Sequence, residues 1–174
     1  MTQQQEKLNK WVMAIPDVET QTFVSAMLAR APAYFWSAPS SSSGQYHPDD
    51  EHKFGGLVKH TIRVCEVGKI LAESRPGADM SLVLAACILH DLYRYGVADE
   101  RSAHSDEGHP ALAAKAINDY GMFFHSSCHY NAIAGAVARH MGRWGGCLPF
   151  STEEWIVHYA DNIAAKYFVK VYKK

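Results

Sequence analysis

The sequence predicts an all-α protein, a helical bundle with polar side chains at its centre. Apolar residues recur every three or four positions along most of the 174 residues, which is the spacing of one helix face. No segment shows the alternation of a half-buried strand, and the lengths of the elements favour helices. Ten histidines are the unusual feature of the composition, because neutral imidazole is a common metal ligand.

Length and composition set the broad class. A chain of 174 residues with 48% apolar and 20% charged residues fits one folded domain rather than a disordered chain. The formal net charge of −1 is too balanced for general nucleic-acid binding. No CxxC pair is present, which disfavours a zinc-thiolate site. The longest apolar run, Leu82 to Leu89, is too short to span a membrane, so we expect cytoplasmic residence.

Two helices are predicted at the start of the chain. The first covers residues 5–15, and the second is capped by Asp17 and continues to about Arg30. We expect residues 1–36 to form a helical segment that packs on a domain of residues 37–174, within one compact unit.

A long loop is predicted between these parts, over residues 37–55, which are rich in Ser, Pro, Asp and Gly. A loop of this length in a compact domain is usually functional or mobile, so a lid is one interpretation. His47 and His52 lie in this loop. They either line a site on the following helix or are solvated.

The next two predicted helices differ in their burial. The first begins at Gly56 and stops before Pro76. On one of its faces His60 lies among the apolar residues Leu57, Val64, Val67 and Leu71. The second is capped by Asp79, and its body SLVLAACIL is apolar on every side. Such a helix is usually central and buried. It ends at His90 and Asp91.

Three further helices complete the prediction. One begins near His109 and stops at Gly121, and the next covers about residues 129–141. A capping box of Ser151 and Glu154 indicates the start of the last helix, over about residues 152–172.

Several helices place a histidine or aspartate where an apolar residue is expected. His60, His109 and His140 each lie on the apolar face of a separate predicted helix. A single such histidine is more often a hydrogen-bonded core residue, but the same feature recurs here. Burying many polar groups is costly unless they satisfy one another or bind a cation. A shared divalent metal centre explains the whole set: His60, His90, Asp91, His109, His140 and Asp161.

Asp91 gives a second argument for a cation. A carboxylate at the C-terminus of a helix faces the negative end of the helix dipole, and a divalent ion reverses that effect. The alternative is that Asp91 pairs with Arg94, which leaves the histidines unexplained. His104 is an alternative to His109 as a ligand, because both lie near the same helix start.

Three segments resemble the HD superfamily of metal-dependent phosphohydrolases, and the resemblance covers roughly residues 44–170. They are GGLVKHT with His60, ILHDLYR with His90 and Asp91, and HYADNIAAK with Asp161. The resemblance implies an HD-type helical bundle with the metal site at its centre, and hydrolysis of a phosphorylated substrate by metal-activated water.

Two branches of that superfamily look similar. YHPDDEHKFGGLVKHT and HYADNIAAK resemble the HD module of bacterial 3′–5′ exoribonucleases. GHPALAAK and RHMGRWGG resemble branches with two metals, such as cyclic-dinucleotide phosphodiesterases and dinucleoside-polyphosphate hydrolases. By this likeness His109 and His140 would bind a second ion, with Asp91 bridging. Arg139 stands where those branches often have a histidine.

The expected cofactor is one or two divalent ions. Mixed nitrogen and oxygen ligands suit Mn, Fe, Co, Ni, Zn or Mg. Asp91 and Arg94 are the candidate catalytic residues. The candidate substrate-binding residues are Arg94, Arg139, Arg143, Trp144 and Lys166, and the alternatives are surface salt bridges and, for Trp144, ordinary packing. His158, one turn before Asp161, is a candidate to orient that carboxylate.

Three functions fit these residues. The favoured one is a phosphohydrolase that acts on a phosphoester or phosphoanhydride of a nucleotide, since a small anionic substrate suits a small, nearly neutral protein. The alternative is a phosphodiesterase or exonuclease acting on single-stranded nucleic acid or a cyclic nucleotide. The second alternative is a non-catalytic HD module that binds a nucleotide. Nucleic acid is the less favoured partner, and no membrane partner is expected.

Overall fold

Seven α-helices are the main elements of the computed structural model, which describes residues 2–42, 47–124 and 129–166. Within these ranges there is no strand, so the prediction of an all-α fold is confirmed. The helices are α1 (Gln3–Met13), α2 (Val18–Leu28), α3 (Gly56–Glu73), α4 (Met80–Leu89), α5 (His109–Gly121), α6 (Tyr130–Arg139) and α7 (Thr152–Ala164).

Side-chain caps set several helix starts, as the sequence predicted. The Asp17 carboxylate accepts a hydrogen bond from a backbone N–H of α2, and the Asp79 carboxylate does the same for α4. Ser151 and Glu154 form the expected capping box of α7. These caps satisfy N–H groups that have no partner inside a helix.

The end of α7 differs from the prediction of a helix to about residue 172. The helix ends at Ala164, and the Lys166 N–H bonds to the Ile163 carbonyl three residues back, which tightens the last turn. The following sequence, YFVKVYKK, is rich in aromatic and β-branched residues, which are weak helix formers. The prediction was therefore wrong for Ala165 and Lys166, and residues 167–174 lie outside the described part of the chain.

Helix α4 lies at the centre of the bundle and contacts α1, α2, α3, α6 and α7. Every residue from Val83 to Leu89 is buried, as its uniformly apolar sequence predicted. Because α3, α6 and α7 pack around α4, its C-terminal end delivers His90 and Asp91 to the interior. The separation of residues 1–36 from 37–174 stays a prediction.

Within the described ranges, no helix combines the length and the hydrophobicity that a membrane-spanning segment requires.

Candidate metal centre

The six histidines and aspartates singled out in the sequence meet at one interior region. They come from α3, α5 and α7 and from the residues directly after α4 and α6. All four histidines are buried, and His60, His90 and His140 have no exposed surface. The most accessible member is Asp161, with 17% of its side chain exposed. The members are His60, His90, Asp91, His109, His140 and Asp161.

One half of the region is built around Asp161. The Nε2 atom of His60 lies 3.0 Å from Asp161 Oδ1, and the Nε2 atom of His90 lies 4.0 Å from the same oxygen. Asp91 closes this half, since its Oδ2 atom is 3.5 Å from His90 Nε2. Potential ligand atoms of His60, His90 and Asp91 all lie within 4.8 Å of one another.

The other half is built around the second carboxylate oxygen of Asp91, Oδ1. This atom is 3.0 Å from His109 Nε2 and 3.7 Å from His140 Nε2. The two imidazole nitrogens are themselves only 3.3 Å apart. Asp91 therefore faces both halves, one with each carboxylate oxygen.

Backbone hydrogen bonds set the direction of three imidazole rings. In His90, His109 and His140, Nδ1 lies within hydrogen-bond distance of the carbonyl three residues earlier. A carbonyl can only accept, so Nδ1 carries the proton and the Nε2 of a neutral ring keeps its lone pair. All three lone pairs thus point into the centre. The acceptors are the carbonyls of Cys87, Asp106 and Val137, at 2.8, 2.6 and 2.7 Å respectively.

Two central atoms are buried without a hydrogen-bond partner among the described residues: His90 Nε2 and Asp91 Oδ1. An unsatisfied buried polar group costs about 1–3 kcal/mol, and more when it is charged. Neither atom carries a proton, so each needs a donor or a cation. The nitrogen and oxygen set fits a divalent cation of the Mn-to-Zn series, and these buried groups are consistent with a divalent metal site of the HD type.

The ionisation of the centre also suits a cation. Burial raises the pKa of Asp91, but Arg94 and His90 lower it more, so that it lies well below its usual range. Burial and the neighbouring His90 lower the pKa of His140 to about 3. The Asp91 carboxylate is therefore charged and the His140 ring is neutral at neutral pH, as ligands must be.

Arg94 is the basic residue closest to this chemistry among those singled out in the sequence. Its Nη1 atom lies 3.1 Å from His109 Nε2 and 3.7 Å from Asp91 Oδ1. The ion pair between Asp91 and Arg94 considered above therefore exists. It still leaves His90 Nε2 without a partner, so it does not replace a cation.

The other sequence candidates are placed away from these contacts. His104 is exposed, whereas His109 is buried in the centre. Arg139 pairs with Glu154 at 3.1 Å. The remaining candidate substrate-binding residues have exposed side chains: Arg143, Trp144 and Lys166.

His158 does not contact Asp161 through any of its hydrogen bonds in the described structure. Its Nδ1 atom lies 2.6 Å from the backbone carbonyl of His140 instead. That carbonyl lies directly after α6, where carbonyls have no partner inside a helix, and α7 packs against α6. This hydrogen bond supports the segment that carries His140, and the predicted role of His158 beside Asp161 stays a prediction.

Two residues that precede α3, His47 and Glu51, also belong to this region. The sequence indicated His47 as a candidate but not Glu51. Glu51, on a short 3-10 helix (Asp49–Glu51), is 0% exposed. Its Oε2 atom is 2.9 Å from His47 Nδ1 and 3.4 Å from His60 Nδ1. Of the two interpretations of His47, the structure supports the site-lining one, since its ring centroid is 4.6 Å from that of His60.

Comparisons with known proteins show the family of the chain. The family model for the HD domain matches residues 57–166, well over half of the chain, so the protein belongs to the HD-domain family. The predicted resemblance is thereby confirmed.

One curated relative is the 3′–5′ exoribonuclease YhaM of Geobacillus sp. (strain WCH70). It is 25% identical over 176 residues, which cover 92% of this chain and 51% of the relative. The chain thus spans about half the length of the curated relative it matches. No solved structure gives a significant match.

Proposed function

We propose that the protein is a metal-dependent phosphohydrolase that cleaves a phosphoester or phosphoanhydride of a nucleotide. The observation that carries the proposal is a buried centre in which imidazole lone pairs and carboxylate oxygens converge while His90 Nε2 and Asp91 Oδ1 have no hydrogen-bond partner. Membership of the HD-domain family supports it.

The proposed ligands divide into two sets that share Asp91. His60, His90, Asp91 and Asp161 would hold the first ion, and Asp91, His109 and His140 would hold the second. A bound divalent ion supplies a nucleophile at neutral pH by acidifying water, and neutralises charge on phosphoryl oxygens.

The protein's own groups bind and orient the substrate around these ligands. The Arg94 guanidinium, whose Nη1 lies 3.1 Å from His109 Nε2, would contact a phosphoryl oxygen. A cysteine nucleophile from the core is disfavoured, because burial raises the pKa of both Cys65 and Cys87 and keeps the thiols protonated. Arg139, Arg143, Trp144 and Lys166 remain proposed substrate contacts.

A second candidate function is a 3′–5′ exonuclease acting on single-stranded nucleic acid. The alignment to the exoribonuclease over 92% of this chain favours it. It requires the same centre to cleave a phosphodiester and a neighbouring surface to bind the strand.

A substrate panel tests the proposal and separates the candidates. The purified chain with Mn²⁺, Co²⁺ or Ni²⁺ is assayed against nucleotides, cyclic dinucleotides, and short single-stranded RNA and DNA. We expect phosphate release from nucleotides. Stepwise release of nucleotides from 3′ ends instead establishes the second candidate. Metal binding without any hydrolysis contradicts both and identifies a non-catalytic binding module.

Metal content tests the two ligand sets. We expect the wild type to bind two equivalents of Mn²⁺, and His109→Ala and His140→Ala to bind one each, because both imidazoles face only the second oxygen of Asp91. The control is His104→Ala, which alters an exposed histidine near the same helix start and should keep two. If His140→Ala still binds two equivalents of Mn²⁺, His140 is not a ligand of the second site. Metal content is measured by mass spectrometry of the dialysed proteins.

A further inference from the structure

We infer that Glu51 is a positioning residue for His60: its carboxylate fixes the imidazole from the Nδ1 side, so that Nε2 faces Asp161 and the metal centre. The inference rests on the proposed function, because it takes His60 to be a metal ligand. It assigns a role to the segment that precedes α3 and lies outside the residues matched by the HD-domain family.

The two nitrogens of His60 face two different carboxylates. Nε2 lies 3.0 Å from Asp161 Oδ1, and Nδ1 lies 3.4 Å from Glu51 Oε2. His60 Nδ1 is buried and has no hydrogen-bond partner with good geometry among the described residues. His90, His109 and His140 fix their rings through backbone carbonyls. For His60 the group in that position is the Glu51 carboxylate.

The Glu51 carboxylate is itself held on both oxygens. Arg63, one turn beyond His60 on α3, donates to Oε1, and His47 Nδ1 lies 2.9 Å from Oε2. These contacts hold the carboxylate so that Oε2 faces His60 Nδ1.

The backbone around Glu51 is closely fitted to the start of α3. Ser40 donates two hydrogen bonds to the Glu51 carbonyl, at 3.0 Å from its N–H and 3.2 Å from its hydroxyl. A Cβ on Gly56 would lie only 1.8 Å from the same carbonyl oxygen, and Gly55 has a φ of +70°. The glycine pair thus permits a close approach between the Glu51 backbone and the start of α3 that other residues would block. This approach places Glu51 beside the turn of α3 that carries His60.

This arrangement matches what a ligand histidine requires. A metal-binding imidazole usually donates its second N–H to a carboxylate or carbonyl, which fixes the ring and increases its basicity. The atoms of His47, Glu51 and His60 are also close enough together to bind an ion of their own. The Arg63 guanidinium already balances the Glu51 charge, and an ion there would require His60 to lose both ring protons. Positioning is therefore the favoured role.

The test compares Glu51→Gln with Asp50→Asn in the full chain. Asp50 is the matched control, because it is exposed, lies on the same 3-10 helix and is 3.5 Å from Arg63. We expect Glu51→Gln to weaken Co²⁺ binding by about 10- to 100-fold, as removal of such a partner usually does, with unchanged stoichiometry. Asp50→Asn should bind like the wild type. Calorimetric titration gives both quantities.

A spectroscopic readout separates positioning from general stability. In the Co²⁺ protein the His60 Nδ1–H should give a paramagnetically shifted NMR signal protected from exchange with water. Glu51→Gln should lose this protection, while the far-ultraviolet circular dichroism stays that of the wild type. If Glu51→Gln does not fold, Glu51→Asp retains the charge beside Arg63 but withdraws the carboxylate by one methylene, and a loss of about tenfold is expected.

Each negative result of these experiments leads to a different conclusion. Wild-type affinity and protection in Glu51→Gln, or in Glu51→Asp if that variant is needed, overturn the positioning role while the proposed function stands. Loss of one whole equivalent of Co²⁺ in Glu51→Gln overturns it in favour of an ion bound at Glu51 itself. A wild-type protein that binds no divalent ion contradicts the proposed function, and the positioning role fails with it.

Discussion

Asp91→Asn is expected to lower the rate of hydrolysis by about 10⁴-fold, the scale seen when a central group of an enzyme site is removed. Asp91 faces both halves of the centre, with Oδ2 3.5 Å from His90 and Oδ1 3.0 Å from His109. Asparagine keeps the shape but removes the negative charge, so each of the two proposed ions would lose a charged ligand. The measurement is kcat/KM on the best substrate of the panel, together with metal content.

The matched control is Asp119→Asn on α5. Asp119 is exposed and pairs with Lys115 on the same helix, away from the centre. It should retain the wild-type rate and metal content. Activity of Asp91→Asn within tenfold of the wild type, in a folded protein, contradicts the proposed mechanism.

The affinity for the first ion is expected to rise about tenfold per pH unit between pH 6 and pH 8, because a bound proton must leave His60. Burial lowers the pKa of His60, but Asp161 and Glu51 outweigh it and raise the pKa to about 10. The metal-free protein therefore carries a proton on Nε2, between His60 and Asp161, across this range. Lower pH favours that proton and weakens metal binding. His140, with its pKa lowered to about 3, adds no competing proton.

Calorimetric titrations in two buffers with different enthalpies of ionisation measure this proton release. We expect one proton per first ion and a Kd that falls by roughly 100-fold from pH 6 to pH 8. His60→Gln should bind more weakly and lose most of this pH dependence. A wild-type Kd that is constant over the range, without proton release, would show that His60 is not protonated in the metal-free protein.

The central residues were predictable because helical periodicity assigns each side chain to a face. His60 falls among apolar residues of α3, and His90 and Asp91 follow the uniformly apolar α4, so their burial could be inferred before any coordinates. Periodicity does not give distances between helices. The 3.3 Å separation of His109 and His140 and the two-sided placement of Asp91 come from the packing of α4, α5 and α6.

Glu51 could not be predicted in the same way. It ends an acidic run, Asp49 to Glu51, in a segment without helical periodicity, and such runs are usually solvated. Its burial results from tertiary contacts, namely the Ser40 hydrogen bonds and the close approach to Gly56. His158 is a second case in which sequence spacing did not predict the hydrogen-bond partner. Its spacing along α7 suggested Asp161, whereas its Nδ1 atom contacts the His140 carbonyl in the folded protein.

In the proposed function, separate helices hold His60, His90, Asp91 and Asp161 around a common divalent ion. The most direct test is anomalous diffraction from crystals of the protein grown with Mn²⁺. We expect a strong peak at coordination distance, about 2.0–2.3 Å, from His60 Nε2, His90 Nε2 and one oxygen of each aspartate. Well-ordered side chains at these four positions with no ion between them, at saturating Mn²⁺, would contradict the claim.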